Sequence, residues 1–151
     1  MEQWVVTFEN WEICDLFSMK LFAHSPFALD KIKLWASRES EFEKRAAFAT
    51  MAGYCLADKK APNEIFEEFL LLIKRESWDE RLYVKKGINW ALRGIGKRNY
   101  DLKSAAINTA LDIAKLDLKG AKWIGNNALK ELLDPKTRSS DYPRSVYRPK
   151  L

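Results

Sequence analysis

The sequence predicts an all-α chain built as a solenoid of antiparallel helix pairs. Three observations carry that prediction. Apolar and aromatic residues recur at three- and four-residue intervals along nearly the whole chain, and no stretch alternates with the period of a strand. A helix-opening signal also appears twice, 37 residues apart, at Ser40-x-x-Glu43 and Ser77-x-x-Glu80. A helix-pair unit repeating near 40 residues is the signature of a HEAT-like stack, in which each unit buries its apolar face only against its neighbours.

The elements follow from local signals. Asn10 caps a first helix over residues 11–23, its short side-chain carbonyl placed to accept an otherwise unpaired amide of the first turn. Ser25-Pro26 opens a second, with Pro26 at the first helical position, where a missing N–H costs nothing. The Ser40/Glu43 capping box opens a third helix that runs to about residue 56. Pro62 begins a fourth, ending near residue 75, and the Ser77/Glu80 box opens a long fifth. Residues 101–116 and 120–134 supply a sixth and a seventh. The segments EKRAAFA (43–49) and VKKGINW (84–90) both set basic residues before small and apolar ones, which aligns the third helix with the fifth. In such stacks one helix of each pair lines a concave groove, here the first, third and fifth. The helical domain thus covers residues 1–134, and residues 135–151 form a basic Pro/Ser/Arg-rich tail.

Composition narrows the functional classes. At 151 residues, 47% hydrophobic and 31% charged, the chain is one ordinary globular domain. No apolar run approaches the roughly 20 residues of a membrane span. The start, MEQWVVTFENWE, lacks a basic leader region, so a cytoplasmic location is expected. Cys14 and Cys55 lie inside apolar helical patterns and read as buried reduced thiols. With one histidine, His24, and no Cys-x-x-Cys, neither a metal site nor a cofactor is expected. The net charge of +5 is misleading: the tail holds five Lys/Arg and one Asp, which leaves only +1 on residues 1–134. Any anion-binding face on the helical body must come from local arrangement.

That arrangement is sought on the groove helices. Trp11 and Asp15 stand four apart and share a face of the first helix. Arg45 follows the capping box of the third by a turn. The stretch YVKKGINWALRGIGKRN (83–99) carries Lys86, Trp90, Arg93 and Lys97 in one stripe, with Arg98 beside it. Taken singly each has a structural reading: a core tryptophan beside a solvated carboxylate, a surface partner for Glu41 or Glu43, a solvated basic face. Gly87 and Gly94 fall on one face of a helix that each weakens by about 0.5–1 kcal/mol, so either a neighbouring helix or a ligand comes close there.

Taken together, W11-E-I-C-D15, W35-A-S-R-E-S-E-F-E-K-R45-A-A and Y83-V-K-K-G-I-N-W90-A-L-R-G-I-G-K-R-N99 resemble the AlkD-like DNA alkylation repair glycosylases, a HEAT-repeat family, in order and at compatible spacings over about residues 4–134. The resemblance implies hydrolysis of the N-glycosidic bond of cationic N3- or N7-alkylated purines in duplex DNA. It carries Trp11, Asp15, Arg45 and Trp90 over as the functional constellation. Positive charge grows on the deoxyribose as the bond to C1′ breaks, and a carboxylate beside that sugar stabilises it and orients water; Asp15 takes this role. Tryptophan faces attract cations, so Trp11 and Trp90 cradle the charged nucleoside. Arg45 holds a phosphate near the lesion, and Lys86, Arg93, Lys97 and Arg98 contact the duplex backbone without reading sequence.

The resemblance has one departure. Family members carry substantial helical sequence before the Trp-x-x-x-Asp motif, which here begins at residue 11. The expectation is a short member or a fragment with weakened excision, whose stack ends on a face covered by a partner, by another copy or by the N-terminal residues themselves. Two other classes compete with a glycosylase: a catalytically inert DNA-binding solenoid, and a HEAT-type protein–protein scaffold whose tryptophans are merely core.

Overall fold

The computed structural model describes residues 1–139. Within them lie eight α-helices and no strand: α1 (Glu2–Val5), α2 (Trp11–Lys20), α3 (Ala28–Trp35), α4 (Glu41–Ala57), α5 (Asn63–Glu76), α6 (Leu82–Gly96), α7 (Tyr100–Ala114) and α8 (Lys119–Leu132). A single 3₁₀ turn, Phe22–His24, follows α2. The helices stack as an α-solenoid: α2 packs on α4, α4 on α6 and α6 on α8, while α3, α5 and α7 form the second layer. The expected tail lies outside the described residues from position 140 onward. Before that point, Thr137 Oγ1 donates to the Glu131 carbonyl at 2.6 Å and fastens residues 134–137 to the end of α8.

The start signals were read with mixed success. Asn10 caps α2, its Oδ1 accepting from Ile13 N at 3.0 Å. The first helix ends at Lys20 rather than at residue 23, because the chain breaks at Leu21 (φ −123°, ψ −59°) and turns Phe22 into an aromatic cluster with Trp35, Phe17 and Trp4. Pro26 is not the first helical residue: Ser25, Pro26 and Phe27 form a turn held by Ser25 Oγ accepting from Phe27 N, and α3 starts at Ala28. Ser40 occupies the cap of α4 without a side-chain bond to it, and Glu43 is drawn instead to Arg38.

The Ser77/Glu80 box is overturned. Ser77 ends α5, its Oγ donating to the Lys74 carbonyl, and α6 begins only at Leu82. Two acidic residues, Glu41 and Glu80, serve the next unit. Glu41 Oε1 on α4 accepts from Tyr83 N in the first turn of α6 at 3.2 Å. Glu80 Oε1, just before α6, accepts from Gly120 N in the first turn of α8 at 2.7 Å. α6 and α8 therefore each have an N-terminal amide satisfied by a carboxylate from the preceding unit, a favourable place for negative charge.

Packing accounts for the glycines. A methyl group at Gly87 would meet Phe48 Cβ at 3.4 Å, and one at Gly94 would meet Cys55 Sγ at 3.6 Å, so the close neighbour of both is α4. Cys14 and Cys55 are free and buried, and burial pushes each thiol up to about 12. At the α2 end, Trp4 and Phe8 lie on Phe17 and Phe22 with centroids 5.4–6.5 Å apart. Glu2 pins that segment by accepting from Trp35 Nε1 at 2.8 Å and Lys31 Nζ at 2.9 Å and by pairing with Arg38. No helix among the described residues is long and apolar enough to cross a membrane.

Candidate functional site

Four inner helices share one open cavity of about 570 Å³. Its wall is made by Asp15 from α2, Arg45 from α4, Lys86, Asn89, Trp90 and Arg93 from α6, and Trp123 and Asn127 from α8. The i, i+4 and i+7 spacing of Lys86, Trp90 and Arg93 sets all three on one side of α6, with Trp90 only partly buried. Asn89 is 2% exposed and donates from Nδ2 to the Ile124 carbonyl at 3.1 Å, tying α6 to α8 beneath the opening.

Asp15 and Arg45 form a bidentate pair. Arg45 Nε donates to Oδ1 at 2.9 Å and Nη2 to Oδ2 at 2.8 Å, while Nη1 donates to the Tyr83 carbonyl at 2.7 Å. The guanidinium side chain is 8% exposed and the carboxylate 19%, so the acid is the more open half. Such a fork fixes the carboxylate plane more firmly than a lysine would. Cys14, next in the chain, is sealed beneath: burial, with the Asp15 charge behind it, holds its thiol protonated.

The basic stripe divides. Lys86 and Arg93 line the cavity. Arg93 pairs with Glu131 of α8, and Lys97 reaches the same carboxylate at 2.6 Å. Burial raises the Glu131 carboxyl, but hydrogen bonds from Lys97 and Arg93 outweigh it and hold the group below its ordinary range. Arg98 does not join the stripe. It is 9% exposed, lies 3.8 Å from the Phe66 ring centroid, and donates to the carbonyls of Cys55, Asp58 and Ala61 at the end of α4. Trp11 also stays apart: it is 43% exposed at the start of α2 and is not part of the cavity wall.

Sequence reasoning passed over Trp123, Asn89, Asn127 and Glu131. A signal for the α8 pair was present, since W123-I-G-N-N127 repeats the Trp-x-x-x-polar spacing of W11-E-I-C-D15. Nothing in the local sequence marked Asn89 or Glu131, whose partners lie 34 to 38 residues away.

An all-helical solenoid with an ion-paired carboxylate and two indoles facing one groove belongs to the class of repeat proteins that carry a site across successive units. The chain itself belongs to the DNA alkylation repair enzyme family, whose model matches residues 1–132. No curated protein and no solved structure matches it. Membership points to a role in DNA repair, with DNA as the partner. Among the described residues, no group of three or more His, Cys, Asp and Glu is placed to hold a metal ion.

Proposed function

We propose that this protein is an AlkD-like DNA glycosylase that hydrolyses the N-glycosidic bond of cationic N3- or N7-alkylated purines in duplex DNA. The observation that carries the reading is the convergence of Asp15, Arg45 and Trp90 on one cavity from three separate helices. In the reaction, the electron pair of the bond from C1′ leaves with the base and cancels the formal charge that alkylation placed there. Positive charge builds on the sugar in its stead, and the Asp15 carboxylate lowers that barrier electrostatically. Water then bonds to C1′ and gives up a proton to Asp15 or to solvent.

Arg45 takes a different part from the phosphate-holding one expected of it. Three of its N–H groups are engaged by Asp15 and the Tyr83 carbonyl, which makes it the residue that positions the carboxylate. Trp90 offers an indole face worth about 0.5–2 kcal/mol against a cation. Lys86 and the Arg93/Lys97 pair supply the contacts to the duplex backbone, the latter after exchange of Glu131 for phosphate.

The test is release of free base from duplex DNA containing 7-methylguanine. Excision above the spontaneous rate supports a glycosylase. Tight, salt-dependent binding without release supports the inert DNA-binding solenoid, and absence of both supports a protein–protein scaffold.

A further inference from the structure

Trp123 lines the same cavity as Trp90 and has no part in the proposed reaction. It stands on α8, is 37% exposed and opens into the same space as Asp15 and Trp90. Its ring already holds a cation: Lys85 Nζ lies 5.6 Å from the ring centroid. Lys85 makes no ion pair among the described residues, so the indole face is the partner its ammonium has. A cation held this way at an exposed site is weakly bound and readily exchanged.

Net charge does not favour a cation here. Asp15 neutralises Arg45, but Glu131 is shared between Arg93 and Lys97, and Lys86 is an exposed and screened ammonium, so the groups around the cavity sum to a positive charge. Selection for a flat cation over its neutral counterpart therefore falls to the ring faces rather than to net charge. Two indoles from different helices in a cavity also lined by Asn89 and Asn127 suit a planar heterocycle with polar edges.

We infer that Trp123 is a cation-selective face of this cavity, and that a cationic purine base displaces the Lys85 ammonium from it. The inference rests on the glycosylase reading only for the identity of the ligand. In that reading Trp123 faces the alkylated base while it still carries its charge and Asp15 faces the sugar, so the residue selects alkylated over unmodified purine at the binding step without touching the bond that breaks.

The test is a titration of the full chain with 7,9-dimethyladeninium, a permanent cation, against neutral 9-methyladenine, followed by NMR shifts of the indole N–H groups. Wild type is expected to favour the cation by roughly threefold or more, the range that one cation–π contact supplies. Trp123→Leu keeps an apolar side chain of similar reach and is expected to lose most of that preference, whereas Trp123→Phe retains part of it. Lys85→Met, which removes the resident ammonium, is expected to tighten the cation by about two- to fivefold. Trp78→Leu, at an indole that faces Lys44 in a different cavity, leaves the preference intact. Equal affinity of wild type for the two ligands, or an unchanged preference in Trp123→Leu, overturns the inference. Failure of the glycosylase reading shows separately, as no excision from alkylated duplex while the cation preference in wild type persists.

Discussion

Asp15 reaches the cavity as half of a bidentate ion pair, and that pairing decides what each partner does. A carboxylate forked by a guanidinium is a well-aimed negative charge, so in the proposed reaction its main work is electrostatic. Substituting Arg45→Lys keeps the charge and loses the fork; excision is expected to fall roughly tenfold to a hundredfold, with DNA affinity nearly unchanged. Arg45→Ala leaves a largely buried carboxylate without its donors and is expected to destabilise the fold by about 1–3 kcal/mol in urea melts. Glu2 supplies the pH dependence. Burial raises its carboxyl, but hydrogen bonds from Lys31, Arg38 and Trp35 outweigh that and bring it from 4.5 to about 2. A depressed folded value means the stabilisation is complete above pH 4.5 and is lost as pH falls toward 2. The gap in melting temperature between wild type and Glu2→Gln should be open at neutral pH and closed near pH 2; a gap that widens on acidification contradicts the assignment.

Helix-to-helix spacing in the stack is set by a few glycines whose local signals look alike. At Gly94 an added methyl group meets Cys55 Sγ at 3.6 Å, an ordinary contact, whereas at Gly125 it meets the Ala110 carbonyl at 2.5 Å and the Ala114 amide at 2.7 Å. Gly94→Ala is therefore expected to stabilise by up to about 1 kcal/mol through helix propensity, and Gly125→Ala to destabilise by more than that, because α7 and α8 must separate. Thermal melts that shift both variants in the same direction would count against this packing. The sequence distinguishes these positions no better than it distinguished the caps. Asn10 was legible because its partner, Ile13, is three residues away. Glu80 was misread because its partner, Gly120, is 40 residues away and belongs to the next unit. The same limit applied at the site. Lys86, Trp90 and Arg93 share a helix, and their spacing announced them, whereas Trp123 and Glu131 come from α8 and owe their place to the way α6 and α8 pack.

For the whole molecule, the proposed function requires a body that is nearly neutral outside its tail to grip a polyanion. Glu131 holds Arg93 and Lys97 together across the α6–α8 contact, where a bridging phosphate oxygen would suit equally well. Removing that competitor frees two cations for backbone contact. Glu131→Gln is expected to tighten duplex DNA and to steepen the dependence of log K on log salt by about 1–2, at roughly 0.9 per phosphate neutralised. An unchanged slope would place the DNA on another face of the solenoid. Affinity of this kind says nothing about chemistry, which in the proposed reaction depends on a single carboxylate being aimed at a sugar. The most direct measurement is single-turnover release of 7-methylguanine from duplex DNA by wild type and by Asp15→Asn, at enzyme concentrations that saturate the DNA for both. The account predicts release by wild type, with a rate at least about a hundredfold lower in the variant despite equal binding. Equal rates in the two proteins would contradict it.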